Sequence, residues 1–387
     1  MRRGLLLLLS VCAALAAAAP ASAQTEAPEP PDVAAPAFLV ADARTGEILA
    51  ERNADARRQI ASITKLMTAL VVLDHARPGE TVTVLPRASS IGESTIDLVP
   101  GERMSVRDLL AAALIQSAND AAFALAAHVG DGSVPRFVEL MNEKARELGL
   151  DDTTFVRPDG LDVPGHRSTA RDVLVLARAA MEQPLVRRLV RQDSLAIAGD
   201  RELFGWNDLL GEYRGLFGVK TGHTDLAGWC QVGVARRDGA TVYAVVLGAP
   251  TRARRNDALA DLLDWGFDRF ARTEVVTTGR AYASADVPYT DERVDLVAEK
   301  SAAPVLLLGR PLVETVVAET AVDLPVREGD VLGEVVVRDG ERVVARRPLV
   351  AASNFEEPGL LERAGWYAGR TLEEAGDMLD AALGAIL

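Results

Sequence analysis

Residues 215–249 read GLFGVKTGHTDLAGWCQVGVARRDGATVYAVVLGA, and no other stretch limits the folding of this chain so tightly. Two apolar runs, WCQVGVA and ATVYAVVLGA, flank Asp238-Gly239. That dipeptide accepts the positive φ angles of a tight hairpin, so the runs must pair as antiparallel neighbours. GLFGVKTG leads into them as a further strand. A helix is predicted over 252–271, with Leu259, Leu262, Leu263 and Phe267 on one side.

Upstream, AFLVADARTGEILAE reads as two short strands around a Thr45-Gly46 turn. A helix starts at Ser62, with Ile63, Leu66, Met67, Leu70 and Leu73 near helical spacing. Residues 106–129 form two apolar helices interrupted at Ser117–Asp120. Residues 136–148 and 169–182 are further helices, and Thr169 caps the second with Asp172 three positions on. Strands, then helices, then strands give an α+β domain, a helical cluster packed on an antiparallel sheet, over 37–272.

Beyond residue 275 the helical period stops. Short Val-rich runs (PVLLL, ETVVAE, EVVVRDGERVV) alternate with turns, including Asp339-Gly340, and predict a small all-β domain over 276–352. It holds no cluster suited to chemistry, which leaves it a spacing or positioning role. A terminal amphipathic helix is expected within 358–387, with Leu361, Ala364, Ala368, Leu372, Ala375, Leu379, Leu383 and Ile386 along one stripe.

The N-terminus reads as a processing segment. Arg2 and Arg3 precede an apolar run from Leu5 to Ala18, and Ala21-Ser22-Ala23 is a small-residue cleavage site. Residues 1–23 are therefore expected as a signal peptide and the protein as exported, periplasmic or otherwise extracytoplasmic. The arginine pair lacks the rest of a twin-arginine signal, and Val11 is too bulky for lipoprotein processing before Cys12. Residues 24–36, rich in Pro, Ala and acid, read as a solvated linker. Cleavage would leave Cys230 as the sole cysteine, so no internal disulfide is available. A formal net charge of −14 argues against a nucleic-acid partner.

The chain writes positive charge almost entirely as arginine; its only lysines are Lys65, Lys144, Lys220 and Lys300. Lys65 stands three residues after Ser62, in the first helical turn, where the macrodipole opposes a cation. On a helix the two side chains share a face. Serine needs a base to become a nucleophile, and lysine can lose a proton where arginine cannot. Taken singly, an N-cap serine before a solvated lysine explains the pair equally well. Ser117-Ala118-Asn119, in the helix break, could cap helix ends, or could relay a proton and hold a carbonyl. Lys220-Thr221-Gly222 offers a cation and a hydroxyl beside a strand glycine of the kind that marks close backbone approach. An edge-strand lysine before a turn accounts for the same three residues.

Ser62-Ile-Thr-Lys65, Ser117-Ala-Asn119 and Lys220-Thr221-Gly222 follow one another in the order of the S-x-x-K, S-x-N and K-T-G signature of penicillin-binding proteins and serine β-lactamases. The phrases ASITKLMTAL, LIQSANDAA, GLDVPGHRSTARD, GVKTGHTDLAGWC and LLDWGF resemble the low-molecular-mass D-alanyl-D-alanine carboxypeptidases, from about residue 37 to about 352. The resemblance implies a β-lactamase/transpeptidase-like fold for the α+β domain. It implies that Ser62 attacks the penultimate D-Ala of a peptidoglycan stem ending in D-Ala-D-Ala, and that β-lactams acylate the same serine. Lys65 would be the base, Ser117 and Lys220 the proton route to the leaving amine, and Asn119 a holder of the peptide. Thr221, with Gly222 beside it and Arg255 assisting, would bind the terminal carboxylate. The backbone N–H groups of Ser62 and His223 would form the oxyanion hole, a device worth about 3–4 kcal/mol per donor.

Ala118 replaces the commoner glycine or aspartate of the second motif. The terminal helix resembles the family's membrane anchor, but Glu362, Glu373, Glu374, Asp377 and Asp380 make its polar face acidic, where anchors are usually basic. Peripheral membrane contact through 360–387 stands against helix docking or self-association. Neither cofactor nor metal is expected, since His75, His128 and His166 are scattered. His166 would line the cleft or sit in a plain surface loop, and Asp151-Asp152 would cap and solvate. A class A β-lactamase would need a glutamate in 150–168, which has none. A D,D-endopeptidase would use the same site on cross-linked peptides. An idle peptidoglycan-binding protein would not require a serine–lysine pair.

Overall fold

The computed structural model describes residues 28–371. It divides into two compact units, of which the first to be considered covers Pro28–Phe270.

Its centre is a five-stranded antiparallel sheet. The strands are β1 (Ala37–Asp42), β2 (Ile48–Arg52), β3 (Leu216–Thr224), β4 (Gly228–Arg237) and β5 (Ala240–Ala249), in the spatial order β2-β1-β5-β4-β3. Asp238 and Gly239 both take positive φ, 49° and 93°, as the hairpin between β4 and β5 requires. Strand period places alternate residues on opposite faces. Leu39, Val245 and Leu247 face the helical cluster, while Phe38, Val40, Ala244 and Val246 face a second core. Because both faces are covered, the strands read as continuous apolar runs rather than as alternations.

The helical cluster comprises α1 (Lys65–His75), α2 (Asn119–Val129), α3 (Val134–Glu147) and α4 (Ala170–Glu182). Of these, α2 buries nearly every residue, and its alanines let neighbouring helices approach it from all sides. On the opposite face α5 (Arg252–Asp268) buries Leu259, Leu262 and Leu263, with Phe267 at the margin. The Thr169 hydroxyl caps α4 by accepting from the Asp172 amide at 3.1 Å.

Several boundaries differ from expectation. The helix break at the second motif spans only Ser117 and Ala118, because Asn119 already begins α2. α5 ends at Asp268, and a short strand, Phe270–Arg272, takes over. The described part of the expected linker, 28–36, is not solvated throughout: Val33 and Ala35 are buried, and Arg52 donates to the Val33 carbonyl at 3.1 Å. Two small hairpins, Thr81–Thr83 with Arg103–Ser105 and Ser194–Ile197 with Arg201–Phe204, are not among the elements expected from sequence, their strands being only three or four residues long.

From Ala271 onward the second unit is a five-stranded antiparallel sheet. It comprises β6 (Ala281–Asp286), β7 (Arg293–Ala298), β8 (Leu312–Ala318), β9 (Val331–Asp339) and β10 (Arg342–Ala351), in the order β6-β7-β10-β9-β8. Val294, Leu296, Val335, Val337 and Leu349 form its core. Residues 360–371 are helical, with Leu360 and Leu361 exposed. The signal-peptide expectation, and the terminal helix beyond 371, lie outside the described residues. No described helix is long and apolar enough to cross a membrane.

Candidate active site

Ser62 lies in a single 3-10 turn, Ala61–Thr64, that runs directly into α1. Side chains three apart in such a turn lie nearly above one another, and the Lys65 Nζ stands 2.8 Å from Ser62 Oγ. Ser62 is partly exposed while Ala61, Ile63 and Thr64 are buried. Ala61 holds a φ of 48°, a strained value that the surrounding packing must impose.

Lys65 is fully buried. Besides Ser62 Oγ, its Nζ bonds Asn119 Oδ1 at 2.7 Å and the Asp159 carbonyl at 2.9 Å. The latter two oxygens carry no proton, whereas the serine hydroxyl does. A neutral amine in this site therefore spends both N–H bonds on Asn119 and Asp159 and turns its lone pair to Ser62. Burial lowers the Lys65 pKa from 10.5 to about 8, opposed by the Asp159 carboxylate and assisted by Arg157. The Asn119 amide orientation is fixed because Nδ2 donates to the Gly92 carbonyl at 3.0 Å.

The second motif owes its shape to an irregular helix end. The helix Val106–Ala111 widens into a π-turn over Ala112–Gln116, and Ser117 then takes a left-handed conformation, φ 66° and ψ 29°. This reversal brings the Ser117 hydroxyl within 2.9 Å of Lys220 Nζ. Below it, the buried Asp120 carboxylate accepts from the amides of Ile96, Leu98 and Ala121. Burial raises its pKa.

Lys220, Thr221 and Gly222 lie on β3, an edge strand bonded to β4 alone among the described strands. The Ser62 turn packs against this strand at Gly222. A Cβ on Gly222 would stand 2.8 Å from the Ser62 amide nitrogen and 3.0 Å from the Ile60 carbonyl, so the close approach expected of this glycine is real. Lys220 Nζ also donates to the Thr221 carbonyl at 2.9 Å. Its pKa falls well below 10.5 through burial, then through the charges of Lys65 and Arg255.

The four lysines thus fall into two kinds. Lys144 pairs with Asp74 and Glu147, and Lys300 with Glu299. Lys65 and Lys220 are buried and bond only neutral oxygens. A buried amine without a carboxylate is costly when charged, which is the condition for proton exchange near neutral pH.

The remaining expected residues are arranged around this pair. The Thr221 side chain is buried, and Gln231 is its partner across the sheet. His223 is exposed, with its ring against Trp229 at a centroid distance of 4.1 Å. Arg255 is buried in the first turn of α5 and bonds Asp208 at 3.2 Å and Asn256 at 2.6 Å, with no hydrogen bond to Thr221.

From the floor of the site, residues 157–168, sequence reading singled out His166 alone and missed Asp159 and Gly160. Asp159 is fully buried in a two-pronged ion pair with Arg157, at 2.5 and 2.6 Å. Gly160 has a φ of +87°, and a Cβ there would stand 2.0 Å from the Ala61 carbonyl oxygen. His166 is no surface-loop residue: it is buried, bonded to Thr64 Oγ1 at 2.8 Å, and accepts from the Val156 amide through Nδ1. Asp162 accepts from Thr224 Oγ1 and the Leu226 amide, tying the floor to the end of β3. Pro158-Asp159-Gly160 is a recognisable turn signal, but nothing local shows that it lies under Ser62. His75 is exposed and His128 sits 3.5 Å from Glu80, both away from the site. Asp152 pairs with Arg57.

A protein-family model described as D-alanyl-D-alanine carboxypeptidase matches residues 23–251. The D-alanyl-D-alanine carboxypeptidase DacD of Salmonella typhimurium is 32% identical over 91% of this chain and 94% of its own length. Among solved structures, penicillin binding protein 5 from Haemophilus influenzae has a TM-score of 0.62 and 29% identity, over 85% of this chain and 99% of the other. A penicillin-binding protein from Listeria monocytogenes, solved in its ampicillin-bound form, has a TM-score of 0.55 and 36% identity, over 61% and 98%.

Proposed function

Because this chain belongs to the D-alanyl-D-alanine carboxypeptidase family, we propose that Ser62 removes the terminal D-Ala from peptidoglycan stem peptides through an acyl-enzyme. One observation carries the assignment of roles: Ser62 is the sole partner of Lys65 Nζ with a proton to give.

Neutral Lys65 takes the hydroxyl proton as Ser62 Oγ attacks the carbonyl carbon of the penultimate D-Ala. Negative charge then develops on the carbonyl oxygen, placed between the Ser62 and His223 amides, where preorganised donors stabilise it. The close packing of the Ser62 turn against Gly222 supports this placement, since it leaves no room for a Cβ there and brings the Ser62 amide beside the residue that precedes His223. The peptide bond breaks as Ser117 passes a proton to the leaving amine, replenished from Lys220 at 2.9 Å. Asn119 holds Lys65 and the bound peptide. The Thr221 hydroxyl donates to the terminal carboxylate, with the buried positive charge of Arg255 behind it. Water then attacks the ester carbonyl and gives a proton through Ser117 to neutral Lys220. The Ser62 oxygen leaves and recovers its proton from protonated Lys65, which restores both lysines. A β-lactam opened by Ser62 would form the same ester while keeping its leaving amine tethered in the cleft.

The substrate lies outside the cytoplasmic membrane, so the reading carries with it an extracytoplasmic location. The acidic terminal segment 360–387 is proposed to touch a membrane only peripherally, if its apolar stripe overcomes repulsion of its acidic face by anionic lipid.

The test is labelling of purified protein by a fluorescent penicillin, beside release of D-Ala from a peptide ending in D-Ala-D-Ala. Both should occur with wild type and vanish with Ser62→Ala. Labelling of the variant would exclude Ser62 as the nucleophile. Rapid spontaneous loss of label would point to β-lactamase behaviour.

A further inference from the structure

The loop 204–208, between the hairpin Ser194–Phe204 and β3, bonds both sides of the cleft. Toward the helical side, Trp206 Nε1 donates to the Gln116 carbonyl at 2.9 Å, and the Phe204 amide donates to Gln116 Oε1 at 3.3 Å. Gln116 immediately precedes Ser117. Toward the sheet side, Asn207 Oδ1 accepts from Gln231 Nε2 at 2.8 Å, and Gln231 pairs with Thr221. Asp208 accepts from Arg255 at 3.2 Å and from Asn256 at 2.9 Å, and also binds Arg252. The Arg252 guanidinium lies 5.3 Å from the centre of the half-exposed Trp206 ring.

We propose that this strap, with Trp206 as its anchor, closes the leaving-group end of the cleft and restricts the enzyme to small leaving groups. The inference rests on the proposed carboxypeptidase activity. In that mechanism Ser117 and Lys220 serve the leaving amine, and Thr221 and Arg255 hold the carboxylate of the departing D-Ala. The strap is attached to the neighbours of both pairs, so it spans the path that a longer leaving group must take. A single D-Ala ends at Thr221 and meets no obstacle. In a cross-linked peptide the leaving amine belongs to the side chain of a second stem, which must continue past Thr221 into Trp206 and Asp208. The strap thereby selects carboxypeptidase over endopeptidase chemistry on one catalytic group. Trp206 acts through exclusion and positioning and touches no reacting atom.

The experiment compares wild type, Trp206→Ala, Trp206→Phe and Phe204→Ala on two substrates, a linear peptide ending in D-Ala-D-Ala and a cross-linked stem-peptide dimer. Penicillin acylation rates and thermal melts are recorded for each. Trp206→Ala should raise the ratio of dimer cleavage to D-Ala release by about tenfold or more. Penicillin acylation should stay within about threefold of wild type. Trp206→Phe keeps bulk without the indole donor and should lie between. Phe204→Ala keeps its backbone bond to Gln116 and the indole anchor, and should match wild type. A ratio unchanged in Trp206→Ala overturns the proposal, as does a parallel fall of both activities and of acylation, which would mark a purely structural role. Absence of penicillin labelling in wild type would instead overturn the carboxypeptidase activity itself.

Discussion

Lys65 Nζ and Ser62 Oγ are 2.8 Å apart, and the other two partners of that nitrogen, Asn119 Oδ1 and the Asp159 carbonyl, can only accept. The polarity of the site is therefore decided by its ring of acceptors. When Lys65 is neutral, geometry leaves a single direction for its lone pair, toward the serine proton.

Lys65→Arg keeps a cation facing the same acceptors but cannot shed its charge in this buried site, so it should melt lower than wild type. In protein shown to be folded it should lose penicillin acylation by about 10²- to 10⁴-fold, the usual worth of a general base. The second-order acylation rate with a fluorescent penicillin measures this. A variant within tenfold of wild type would remove Lys65 from the role of base.

Acylation should rise with pH through about 8, where burial has placed the Lys65 pKa. The active form is the neutral amine, so the rate falls about tenfold per pH unit well below that value. Lys220 is also depressed and is coupled to Lys65, so the profile reports the pair. A flat profile from pH 6 to 9 would contradict a lysine base.

His166→Gln should alter how stability responds to acid. Burial lowers the His166 pKa from 6.5 to about 4, so between those values the unfolded chain binds a proton that the folded one refuses. The unfolded state holds more protons in that window, and stability falls as pH drops from 6.5 to 4. The shift corresponds to about 3 kcal/mol as an upper bound. Urea unfolding at pH 4, 5, 6 and 7 should show a shallower acid slope in the variant. An identical slope would mean that the histidine is not the group responsible.

Gly160→Ala should destabilise the protein by about 1–3 kcal/mol and slow acylation, because the new methyl meets the Ala61 carbonyl and Gly160 has a positive φ. A melt paired with the acylation rate separates this from damage confined to the site. Wild-type values for both would show that the floor can yield.

Each of the three motifs had an ordinary reading when taken singly, and they became legible as an ordered set that resembles the signature of one family. The apolar runs of β4 and β5 were legible because Asp238-Gly239 fixes how they pair. The floor was not, since Asp159 presents an ordinary turn and shows its function only through a backbone carbonyl beneath Lys65. His166 stood open between lining the cleft and a plain surface loop, and its burial against Thr64 decided against the surface loop.

By itself the sequence determined the α+β order of elements and the antiparallel pairing. These depend on periodicity and spacing, which chain geometry converts directly into faces and turns. The family, and with it the reading of Ser62 and Lys65 as a pair, came from the resemblance of three ordered motifs. Tertiary structure alone decided that Ser117 reaches Lys220 across 103 positions, that Arg255 is paired with Asp208, and that residues 204–208 bond both sides of the cleft. Such relationships join segments whose separation along the chain carries no information about their distance in space. They are set by the burial of two cores against one sheet, and by the cost of leaving any buried polar group without a partner.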